Sequence, residues 1–158
     1  MSYNNSDGLR VITGTDQGAA VDAGTTAKSE VKTLVIDLTD ATELGSSAAT
    51  PVANDPFIPA NSYITGAHLI VTTAWTSAGS ATLTIGTYQQ DGTTIDADGI
   101  DATIAKTALA ANAAVACNGD QVGAIVTVGA NDAYVKANYA TAAFTAGAAK
   151  LVITYIET

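Results

Sequence analysis

The chain has 158 residues, 47% of them hydrophobic, and six Lys plus Arg stand against fifteen Asp plus Glu for a formal charge of -9. That balance repels phosphate backbones and anionic membrane surfaces, so neither nucleic acid nor membrane is expected as a partner. A single cysteine excludes an intramolecular disulfide, and the length suits one domain with a substantial core. No run is long and apolar enough to span a membrane, and the opening MSYNNSDGLR lacks the basic-then-apolar pattern of an export signal. Ala and Thr make up roughly a third of the chain, which suits closely packed strands better than a catalytic pocket.

Residues 1–29 read as an extended arm in which only Leu9, Val11 and Ile12 form an apolar nucleus. The Asn4-Asn5-Ser6 glycosylation match is set down to chance, because no export signal accompanies it. Residues 30–158 read as a single β-sandwich domain. Its first strand, Val31 to Thr39, sets Leu34, Ile36 and Leu38 on a core face against Thr33, Val35 and Asp37 on a wetter one. A long connection follows, punctuated by Pro51, Pro56 and Pro59, with Phe57 and Ile58 as the plug that pins it to the core.

The most regular stretch runs from Tyr63 to Asp101. A strand over Ile64 to Trp75 places Leu69, Val71 and Thr73 on one face, and His68 and Ile70 on the other with Ile64. Ser77 to Ser80 breaks the pattern, Thr82 to Tyr88 resumes it, and Asp91-Gly92 predicts a type I′ hairpin turn. Beyond it a short helix is expected from Asp98 or Gly99 to about Ala111, since Ile100, Ile104 and Ala108 recur every fourth residue and Asp98 is placed to cap. Asn118-Gly119 reads as a second hairpin turn, returning through Val122, Ile125, Val126 and Val128. Ala133 to Tyr139 alternates again. Ala149 to Glu157 is apolar on both faces, which makes Val152, Thr154 and Ile156 the candidate oligomer contact. About eight strands without alternating long helices predict an all-β antiparallel sandwich with one short helix and the N-terminal arm. A jelly roll leads, with an immunoglobulin-like sandwich as the alternative.

The chemistry-bearing residues are sparse. Asp91, Asp96, Asp98 and Asp101 are weak Ca²⁺ candidates whose spacing departs from the EF-hand pattern, so turn and cap chemistry is the favoured reading and no metal is expected. His68 has neither a Cys nor a second His to complete a zinc site, and reads as structural. Cys117 reads as a small apolar strand residue. Trp75 is assigned to the edge of the core or of an interface, with sugar stacking as the alternative. No acid–base pair, nucleophile or cofactor motif stands out, so neither catalysis nor a cofactor is expected.

The run Pro56 to Ala102, PFIPANSYITGAHLIVTTAWTSAGSATLTIGTYQQDGTTIDADGIDA, resembles a recurrent pattern in virion structural proteins of tailed bacteriophages, particularly phages of cyanobacteria and other aquatic bacteria. The shared features are the IPANSYI opening, a strand pair around a small-residue turn, and the closing DGTTIDADGID. The resemblance implies a capsid-associated protein of the decoration or cement kind, synthesised in the host cytoplasm and seated on the capsid surface. It also implies a jelly-roll body, a homotrimer, the major capsid protein as partner, and an arm that grips the shell. A carbohydrate-binding or adhesin-like sandwich of a tail or head fibre is the alternative.

Overall fold

The computed structural model describes residues 3–4, 10–11, 31–39 and 55–158. Strands β1 (Tyr3–Asn4) and β2 (Arg10–Val11) pair with each other, Tyr3 opposite Val11. Leu9 and Ile12 of the expected arm, and residues 40–54 of the proline-marked connection, lie outside the described residues.

Eight strands form the body: β3 (Val31–Thr39), β4 (Phe57–Ile58), β5 (Tyr63–Ser77), β6 (Thr82–Tyr88), β7 (Thr94–Ala105), β8 (Ala114–Ala116), β9 (Ala133–Ala140) and β10 (Phe144–Ile156). They make two four-stranded antiparallel sheets, ordered β3-β10-β5-β8 and β4-β9-β6-β7. Within these orders β6 pairs with β7, β5 with β8, β4 with β9 and β3 with β10. The strands thus nest about the β6–β7 turn, and successive strands on either side of it fall in different sheets of an all-β sandwich.

The inward faces close on a continuous apolar core. Ile36 and Leu38 of β3, Leu69 and Val71 of β5, and Leu151 and Ile153 of β10 meet Leu83 and Ile85 of β6, Ile100 and Ile104 of β7, and Val135 of β9. The alternation in VKTLVIDLT therefore faces as the sequence suggests, and Ile58 is the fully buried half of the expected plug while Phe57 stays on the surface. Trp75 is buried, edge-on to Phe144 with ring centroids 5.0 Å apart. Gly147, at φ 144, lies against it, and a Cβ there would come within 2.5 Å of the indole. The indole Nε1 has no hydrogen-bond partner among the described residues.

Four expectations are corrected. Residues 98–105 are strand, and the helical turn is limited to a 3₁₀ segment at Lys106–Ala108. A spacing of four is even, so it satisfies the two-residue period of a strand as well as the helical one, and Ile100 and Ile104 reach the core from β7 with Ala108 left exposed. The β6–β7 turn is a hairpin, but only Gly92 has positive φ (88°), with its N–H donating to the Gln89 carbonyl at 2.9 Å. This is a turn closed by a left-handed glycine rather than type I′. Asn118-Gly119 is not a hairpin, and residues 122–128 form no strand beyond one bridge between Val122 and Ile64. Finally, Ile64 faces the core and not the side of His68, because the β5–β10 register shifts between Thr154 and Tyr155.

Candidate functional site

The largest regular surface is the outer face of the β3-β10-β5-β8 sheet, whose composition follows from the register. Val31, Ile156 and Tyr63 form one row across three strands, and Val35, Val152, His68 and Ala116 form another. Between them Thr33 lies beside Thr154, whose hydroxyl accepts from Thr65 at 2.9 Å and donates to the Gly66 carbonyl at 3.2 Å. With its hydroxyl engaged within the sheet, Thr154 adds little polarity to this surface. The next row carries Asp37, Lys150 and Ile70, the first two joined as an exposed ion pair. Such a pair contributes little to stability in water. Val31, Val35 and Ile70 are 58%, 51% and 43% exposed.

The structure thus brings Val152, Thr154 and Ile156 onto one face, as the two-sided apolar pattern of the last strand suggests, and leaves them half-buried. Val31, Val35 and Ile70 extend the same patch but were not singled out in the sequence. The signal was present: Val31 and Val35 are apolar residues on the strand face expected to be wet. A second patch was misassigned. Ile125 is 96% and Val126 51% exposed in the loop between Gly123 and Gly129, where a returning strand was expected. That loop joins the same end of the sheet, since Gly123 N–H donates to the Ile64 carbonyl at 2.8 Å and Val128 N–H to Ser62 at 2.9 Å.

The acidic stretch has a structural role. Asp91 Oδ1 accepts the Thr93 N–H at 2.8 Å across the hairpin turn, and this bond holds its carboxyl below the usual range. Asp96, Asp98 and Gly99 belong to an irregular bulge: Thr87 pairs with Asp96 and Ile85 with Asp101, so a run of β7 residues opposes Gly86 alone. Burial, and then the neighbouring Asp98, push the Asp96 carboxyl up. Asp101 is buried and accepts the Thr103 N–H at 3.0 Å and the Asn118 N–H at 3.3 Å, while burial raises its pKa. Asp96 and Asp98 thus sit together in the bulge, the Asp98 N–H donating to Asp96 Oδ1 at 3.3 Å, while Asp91 and Asp101 serve separate positions, and among the described residues no three His, Cys, Asp or Glu side chains gather as a metal-holding group.

The segment after β8 locks this bulge. Gly119 N–H donates to the Ile100 carbonyl and Gln121 N–H to that of Gly99, both at 2.9 Å, and the Gln121 Oε1 accepts the buried Thr87 hydroxyl at 2.9 Å. A side chain at Gly119 would overlap the Asp98 and Gly99 carbonyls, and one at Gly86 the Ala97 carbonyl. Cys117, the residue before this lock, is buried in the loop following β8 rather than within a strand, and its thiol is pushed up to about 12 by burial and the nearby Asp101. His68 lies exposed on the outer sheet face, its Cα opposite Val152. Trp75, buried in the core, offers no face for sugar stacking.

Two solved structures share this fold. A chain of the cyanophage Pam1 capsid asymmetric unit superposes with a TM-score of 0.58 at 19% identity, covering 100% of both chains. A chain of the capsid of Ralstonia phage GP4 superposes with a TM-score of 0.53 at 18% identity, over 82% of this chain and 85% of that one. No protein-family model and no curated protein sequence matches the chain.

Proposed function

We propose that this chain is a virion structural protein of a bacteriophage, of the decoration or cement kind, that binds the outside of a capsid and stabilises it without catalysing a reaction. The observation that carries this reading is the end-to-end fold likeness to a chain of the cyanophage Pam1 capsid, with no unmatched domain on either side. The Ralstonia phage capsid chain supports it from a second particle.

In this reading the body assembles as a homo-oligomer, with a trimer as the expected state, through the outer face around Val152, Thr154 and Ile156. Val31 and Val35 widen that contact, and a surface poor in charge loses little solvation when covered. The arm bearing Leu9, Val11 and Ile12 adds to a strand edge of the major capsid protein, where backbone hydrogen bonds supply affinity. The test is a low-resolution map of particles with and without the protein, beside pelleting of full-length and arm-deleted protein with empty shells. Density on the shell, and binding that falls when residues 1–29 are removed, is the expected result. Density on the tail alone overturns the shell assignment, and undiminished binding by the shortened chain removes the arm from the mechanism.

A further inference from the structure

We propose that the groove between the β6–β7 hairpin tip and the loop leading into β9 is a binding site for neutral sugars. It has a volume of about 500 Å³ and is lined by Gln89, Gln90, Asp91, Asn131, Asp132 and Tyr134. That size accommodates a small ligand. Its walls supply three carboxamides, two carboxylates and a phenol, with neither Lys nor Arg among them. Carboxamides both donate and accept, and carboxylates accept in pairs, which is what adjacent sugar hydroxyls require.

The walls are already fixed. On one side the Gln89 N–H donates to the Thr93 carbonyl at 2.7 Å, and Asp91 accepts from Thr93. On the other, Asp132 Oδ1 accepts the Ala60 N–H at 3.0 Å and Gly129 accepts from Asn61 at 2.7 Å. Rigid walls lower the ordering cost of binding. The side chains of Gln89, Gln90 and Asn131 line the groove and make no hydrogen bond among the described residues, which leaves their carboxamides available to a ligand. Tyr134, the one aromatic residue lining the groove, is itself held against the ring of Phe57, with centroids 5.4 Å apart.

Charge selects within the sugars. Asp91 and Asp132 in the groove, on a chain of net charge -9, repel sulfated, sialylated or uronic-acid glycans and leave neutral ones. The site is tested by applying the purified full-length chain to an array of neutral and anionic glycans, then titrating the strongest neutral glycan calorimetrically against wild type, Gln90→Ala and Asn131→Ala. Both substitutions are at exposed positions, so melting temperatures should match wild type. Saturable binding of neutral glycans, weakened about tenfold by each variant, is the expected result. Three results would overturn the proposal: no glycan retained, preference for anionic glycans, or neutral binding that both variants leave unchanged.

Discussion

Asp91-Gly92 and Asn118-Gly119 are the same kind of dipeptide in sequence, yet they do opposite jobs. The first turns the chain: Gly92 takes φ 88°, and the whole body folds back about that point. The second opens no hairpin: Gly119 only begins a local turn, its carbonyl accepting the Val122 N–H at 2.9 Å. Gly119 is needed because the backbone of β7 passes where its side chain would be. A glycine required for its conformation and a glycine required for its missing volume are indistinguishable in a sequence, and they should fail differently when replaced.

The sharpest contrast is expected from Gly119→Ala. Its methyl meets backbone rather than a movable side chain, so the bulge lock has to part, at a cost of about 3 kcal/mol or more. Urea melts with an unchanged slope and a lower midpoint would measure it, and a loss below about 1 kcal/mol would mean the bulge yields easily.

The next effect is expected on the other side of the same lock. Asp101→Ala leaves the Thr103 and Asn118 N–H groups without their acceptor, which costs about 1–2 kcal/mol because both sites are only partly buried. Asp101→Asn, which keeps one acceptor oxygen, should cost less and supplies a pH signature. Because burial raises the Asp101 pKa, the folded state favours the protonated acid. Its contribution is fully present below the unfolded carboxyl pKa and is lost as pH rises through the folded value. Stability of wild type relative to Asp101→Asn should therefore grow as pH is lowered from neutrality through the folded pKa. A difference that shrinks instead would show that the charged form is the favoured one.

Gly92→Ala should be the mildest of the three, near 1 kcal/mol, since the cost is that of a left-handed backbone at one alanine in a hairpin turn. A thermal shift of about 3 °C is the corresponding reading for a chain of this size. If Gly92→Ala proved as damaging as Gly119→Ala, the distinction between turning and clearance would collapse.

Much of the fold was legible because its long strands alternate. β3, β5, β6, β9 and β10 each carry a core face that the two-residue period exposes, and the apolar pattern of the last strand already placed Val152 and Ile156 together on the face opposite the core. β7 was misread because Ile100 and Ile104 suit either period, and pairing with β6 decides between them. β8 gave no signal, being three small residues recruited by the edge of β5. The loop carrying Ile125 and Val126 looked like a strand because apolar content was mistaken for burial. The polar groove was invisible for another reason: Gln90 and Asn131 lie on segments far apart in the chain, which the fold brings together.

The lone cysteine makes this architecture measurable in time. With its sulfur buried and its ionisation pushed up to about 12, Cys117 is almost entirely protonated at neutral pH and shielded from alkylating reagents. Modification then has to wait for the chain to open, and the residue sits just before the segment that clamps the β7 bulge. The labelling rate of the native protein becomes a clock for that local opening.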